Sequence, residues 1–164
     1  MNYFFKALLV STIIFCAVGS SAQKVVKKYI NRYEDLAVER MKEYQIPASV
    51  ILGVSIVESG AGESDIAKVF HNYFGIKGKN TDSKKRLGYK SLYREYASDT
   101  ASYDHFCQVL ARKKFYKKLK GCMDFKEWLA QMNAAEYSEA KGVWVDKITA
   151  TINKYKLYKY DNIE

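Results

Sequence analysis

The sequence predicts a mainly α domain of the α+β kind, a helical body with one small β-hairpin lobe inserted after a central helix. Three observations predict it. Apolar residues recur at helical spacing in several separate blocks. Residues 47–59 are apolar around their whole circumference, as a central helix should be. Residues 75–96 break the rhythm with glycines, lysines and alternating apolar positions. No repeat, proline-rich linker or low-complexity block divides the 164 residues, which suit one domain.

Residues 1–22 have the layout of a secretory signal: Lys6 as the charged flank, an apolar stretch from Ala7 to Val18, then small Ser20, Ser21 and Ala22 before Gln23. The apolar run is shorter than the roughly 20 residues of a membrane span. Export and cleavage are therefore expected, with no stable membrane anchor and a mature domain over 23–164. Residues 24–44 carry Val26, Ile30, Tyr33, Ala37 and Met41 along one side, an amphipathic helix. Pro47 suits a first helical turn, and the central helix over 47–59 carries Val50, Ile51, Leu52, Val54, Ile56 and Val57. Gly60 and Gly62 supply its stop and leave room for a bulky substrate to approach. A short helix is expected from Ser64 to Phe70.

In the hairpin region Leu87, Tyr89 and Leu92 alternate. Ser98 or Asp99 then caps a helix carrying Tyr103, Phe106, Val109 and Leu110. Asp124 with Glu127 resembles a capping box ahead of Phe125, Trp128, Leu129 and Met132. A last helix over 141–155 aligns Trp144, Val145, Ile148, Ile152 and Tyr155.

Charge narrows the partners. The formal net charge of +9 falls to +8 without the leader, which removes Lys6 and no acid. A surface this basic suits a polyanion, an anionic membrane or an acidic polysaccharide, and export makes nucleic acid the least suited. The run RKKFYKKLKG (112–121) reads first as a solvated helix face and second as a rim meeting anionic glycan. Two histidines, His71 and His105, without ligand spacing support no metal site, and no cofactor is implied. His105 and Cys107 lie two residues apart and point to different sides of a helix, so they form no dyad. Cys107 and Cys122 either pair or stay free; their spacing does not decide.

One carboxylate stands out. Glu58 closes the central helix on the face of Ile51, Val54 and Ser55. A carboxyl desolvated there, at the negative end of the helix dipole, holds its proton near neutral pH. A general acid needs that property; a glutamate at a frayed, solvated helix end would not have it.

The stretch IPASVILGVSIVESGAGES (46–64), followed by HNYFGIKG (71–78), resembles the N-acetylglucosaminidases of glycoside hydrolase family 73, bacterial autolysins with a lysozyme-like fold. LYREYAS (92–98), Asp104 with His105, and Tyr137 with WVDKI (144–148) extend the resemblance over most of the mature chain. The resemblance implies a lysozyme-like domain that cleaves the β-1,4 bond after N-acetylglucosamine in peptidoglycan, with glycan strands as its partner. It gives Glu58 the role of general acid. It gives Tyr137 the place of an active-site tyrosine that orients the acetamido group, and Asn72 and Phe74 the cleft floor. For both of these a structural role is preferred. Tyr89 and Tyr93 of the lobe are candidates to stack on sugar faces.

A second carboxylate is the weak point. Many relatives place it in the lobe, which here is short and basic and offers only Asp82 and Glu95. Either acts as base, or the substrate's own acetamido oxygen attacks the anomeric carbon. The rival reading is a wall-binding protein that keeps the fold without the chemistry.

Overall fold

The computed structural model describes residues 3–78, 93–137 and 141–162, with backbone alone for 3–20 and 141. Helix α1 (Tyr3–Tyr44) runs without a break through the expected leader boundary. It is followed by α2 (Ala48–Ser59), α3 (Asp65–Phe70), α4 (Asp99–Ala111), α5 (Tyr116–Leu119), α6 (Phe125–Ala134), α7 (Lys141–Tyr155) and a 3-10 turn, Leu157–Tyr160. Among the described residues no helix is long and apolar enough to cross a membrane.

Helix α2 is central, as its all-round apolarity predicts. Residues Ala48 to Ile56 and Ser59 are all buried, and α1, α6, α7 and the 3-10 turn pack around them. Pro47 stands one residue earlier than expected, at the N-cap, where it offers no side-chain acceptor. Asp161 fills that role from the other end of the chain. Its carboxylate accepts from Ser49 N at 2.7 Å and from Ser49 Oγ at 2.6 Å. This satisfies a helix-end donor that would otherwise be orphaned and ties the C-terminus to the core helix.

At the other end, Gly60, Ala61 and Gly62 all take left-handed φ, and the Ala61 N–H bonds back to Ile56 O at 2.8 Å. Gly62 does not open the backbone to a substrate as expected. A Cβ there would lie 3.1 Å from the Tyr29 ring, so this glycine allows the turn to pack on α1. Ser98 rather than Asp99 accepts from Ala101 N and Asp124 accepts from Lys126 N, as the sequence offers, while Ser64, expected inside its helix, stands one residue before it and accepts from Ala67 N.

Tyrosine hydroxyls join α1 to the rest. Tyr29 pairs with Tyr103 at 2.8 Å and Tyr103 donates to Ser55 Oγ at 3.1 Å, carrying polar atoms through the core fully bonded. Tyr33 donates to Asp99 Oδ2 at 2.6 Å, and Arg32 and His71 also bind that carboxylate. The charged run over 112–121 folds around α5. Tyr116 donates to Tyr44 O at 2.7 Å and Leu119 is buried, while Arg112, Lys114, Lys117, Lys118 and Lys120 face solvent.

Of the expected hairpin lobe, residues 79–92 lie outside the described residues. Its base is an isolated antiparallel bridge between Lys77 and Tyr93, continued by Arg94 N to Ile76 O at 2.9 Å. Among the described residues no extended sheet forms.

Candidate active site

Four segments converge on the end of α2. The helix itself presents Glu58, half-buried. Helix α7 brings Trp144, 3 % exposed, and Lys147 one turn later on the same face. The loop after α3 brings Phe74 and Gly75, and the turn after α6 brings Tyr137. That turn is a left-handed closure at Glu136, with Tyr137 N bonded to Met132 O at 3.1 Å.

Trp144 Nε1 donates to Glu58 Oε1 at 2.6 Å. Glu58 Oε2 faces Gly75, where a Cβ would come within 3.2 Å of it. Burial pushes the Glu58 carboxyl above the ordinary glutamate range; the Trp144 hydrogen bond and the Lys147 charge offset this in part. The balance keeps a proton available at higher pH than a solvated glutamate would, as the helix-face argument predicts.

Tyr137 stands beside this carboxyl. Its ring lies 5.4 Å from the Trp144 ring, and burial together with the Glu58 charge holds the phenol neutral. The hydroxyl points to Phe74 O at 3.4 Å. A bond that long is easily exchanged for one to a substrate. An aromatic row supports the pair from below: Tyr103 meets Phe74 edge-on, Phe74 stacks on Phe106 at 4.1 Å, and Phe106 meets Tyr137 edge-on.

The other sequence candidates are placed differently. Phe74 is 2 % exposed and Asn72 is 1 % exposed. The Asn72 amide donates to Ile76 O and Arg94 O and accepts from Ile76 N. Both are almost fully buried, which suits the structural role preferred for them over contact with a sugar. Tyr93 is half-buried with Lys77 Nζ 4.0 Å over its ring. Glu95 is half-buried on the segment that leads to Tyr96. Asp82 and Tyr89 lie outside the described residues.

Cys107 and Cys122 are both free, and burial pushes the Cys107 thiol well up. His105 Nδ1 bonds the Tyr96 hydroxyl at 2.8 Å, and His71 bonds Asp99. Among the described residues no cluster of His, Cys, Asp and Glu could hold a metal ion.

The residue that the periodicity missed is Trp144, read only as part of the apolar face of α7. A signal existed: an indole buried in a core needs an acceptor for its N–H, and a buried carboxyl needs a donor.

Gly75 tests how tightly the carboxyl is held. Gly75→Ala places a Cβ against Glu58 Oε2 at a φ of +63°. The expected outcome is a stability loss of about 1 kcal/mol from the left-handed backbone, with a larger fall in turnover, about 10- to 100-fold. Thermal unfolding and initial rates measured on one preparation separate the two. An unchanged rate would show that the carboxyl is not confined on this side.

Known proteins give the family. The sequence pattern of the glucosaminidase family, described as mannosyl-glycoprotein endo-beta-N-acetylglucosaminidase, matches residues 34–157. The exo-glucosaminidase LytG of Bacillus subtilis (strain 168) is 27 % identical over 138 residues, covering 74 % of this chain and 49 % of that protein. The chain therefore spans about half the length of this curated relative. The catalytic domain of the autolysin Auto from Listeria monocytogenes superposes with a TM-score of 0.67 at 22 % identity, over 84 % of this chain and 88 % of that one. The glycoside hydrolase domain of FlgJ from Salmonella typhimurium gives 0.63 at 18 %, over 82 % and 90 %. At these identities the superpositions establish the fold alone.

Proposed function

The chain belongs to the glucosaminidase family, glycoside hydrolase family 73, and on that footing we propose that it hydrolyses the β-1,4 bond after N-acetylglucosamine in peptidoglycan, with Glu58 as general acid. The observation that carries this reading is the half-buried Glu58 carboxyl, bonded by Trp144 at 2.6 Å with Tyr137 beside it. The bond from the anomeric carbon to the leaving oxygen breaks as that oxygen takes the Glu58 proton. The substrate's acetamido oxygen attacks the anomeric carbon, oriented by the Tyr137 hydroxyl, and forms a cyclic oxazolinium. Water then opens the ring, returning its proton to Glu58 and restoring the acetamido group.

Substrate assistance is preferred over a protein base because the lobe carries so few acids. Asp82 and Glu95 are the protein alternatives, and replacing both by their amides should leave appreciable turnover. Complete loss would assign the second step to a side chain. In this reading Tyr89 and Tyr93 are the residues offered to stack on sugar faces. Residues 1–22 direct export, so that the domain works in the periplasm or outside the cell, where peptidoglycan lies.

Digestion of purified insoluble peptidoglycan, with the soluble fragments separated by size, tests the function. Release of fragments of mixed length is expected of an endo-acting enzyme. Release of the smallest units alone would make it exo-acting, as the curated relative is named. Binding to the wall without release would overturn the catalytic reading in favour of a glycan-binding protein.

A further inference from the structure

The two oxygens of Glu58 are not equivalent. Oε1 accepts the Trp144 indole N–H at 2.6 Å, while Oε2 looks toward the backbone of Gly75, where nothing larger than hydrogen fits without touching it. An indole nitrogen donates and never accepts. A protonated carboxyl therefore bonds best with its carbonyl oxygen toward Trp144 and its hydroxyl on the other side. The indole is 3 % exposed, and its face lies against the Tyr137 ring at 5.4 Å and 36°. One side chain thus touches both residues to which the chemistry is assigned.

We propose that Trp144 is the positioning residue of this site: its N–H fixes the Glu58 carboxyl so that the transferable proton rides on Oε2, and its ring packs against Tyr137 beside it. This inference deepens the glycosidase reading, and its kinetic consequences rest on it. Among the described residues the groups that act on Glu58 are few. Helix α7 contributes the Lys147 charge along with Trp144, the turn after α6 contributes the neutral phenol of Tyr137, and the loop after α3 approaches at Gly75. Trp144 is accordingly the neutral donor that can set the carboxyl's geometry without adding a charge.

Two readouts test the inference. In Trp144→Phe the ring remains and the donor is lost. The ionised form of Glu58 then loses a hydrogen bond, so the basic limb of the pH–rate profile should move to higher pH by roughly half to one unit. The maximal kcat should fall about tenfold while KM stays within about threefold. A purely structural role would lower stability or rate and leave the limb in place, and that result overturns the proposal.

The second readout needs no activity. In the 15N-labelled wild-type protein, the Trp144 indole resonance should titrate with Glu58 and lose that pH dependence in Glu58→Gln. An indole resonance insensitive to both overturns the proposal even if Trp144→Phe does not fold. A wild-type protein that cleaves no wall but shows the titration would defeat the glycosidase reading while the geometric inference stands.

Discussion

Glu58→Gln is expected to abolish turnover, by about a thousandfold or more, while the fold remains intact or becomes firmer. The amide is isosteric and its oxygen still accepts from Trp144 Nε1, so the local packing survives. What disappears is the proton. The stability effect follows from the raised pKa. Burial makes the folded state bind the Glu58 proton more tightly than the unfolded chain does. Stability is then lost as pH rises from the unfolded glutamate range through the higher folded value. A glutamine has no such loss, so its unfolding temperature should equal or exceed that of wild type at neutral pH, and the gap should close in acid. Initial rates and thermal unfolding at acid and neutral pH decide this. Comparable turnover by the two proteins would remove Glu58 from the chemistry.

Asp161→Ala should destabilise the fold from a site outside the cleft. Asp161 is 6 % exposed and supplies the only side-chain acceptor at the start of α2 among the described residues. Removing it leaves the Ser49 N–H and hydroxyl buried without it. A lost helix cap together with a lost charged hydrogen bond costs about 2 kcal/mol, or about 5 °C in unfolding temperature for a domain of this size. Asp161→Asn keeps an acceptor and should be milder. Burial also raises the Asp161 pKa against its Ser49 bonds, so the neutral amide escapes a desolvation cost that the carboxylate carries. The order wild type, Asn, Ala in denaturant midpoints would support the latch; equal midpoints for Asn and Ala would argue that the Ser49 bonds contribute nothing.

Local pattern made much of this molecule legible. Helix α2 could be placed at the centre because no face of it is polar, and Asp124 was recognisable as a cap from its position alone. Glu58 could be assigned to a buried face because helical periodicity fixes which neighbours it shares. The long-range partners were not legible. Trp144 lies 86 residues from Glu58, and Asp161 lies 112 residues from Ser49. Each looked locally like something plainer, an apolar-face aromatic and a charge near the end of the chain. Gly62 misled for a related reason: a glycine beside a carboxylate suggests an open approach, whereas its need is the close packing of Tyr29, 33 residues earlier in the chain. The resemblance to a known family named Tyr137 and the acid, but the hydrogen bond from Trp144 exists only in the folded chain.

The most direct test of the central claim is the chemistry of the ends it creates. Purified peptidoglycan is digested with the wild-type protein, the fragments are reduced with borohydride, and the products are identified by mass spectrometry. Fragments ending in reduced N-acetylglucosamine, absent after treatment with Glu58→Gln, are the predicted result. Ends of reduced N-acetylmuramic acid, or the same fragments from both proteins, would contradict the account.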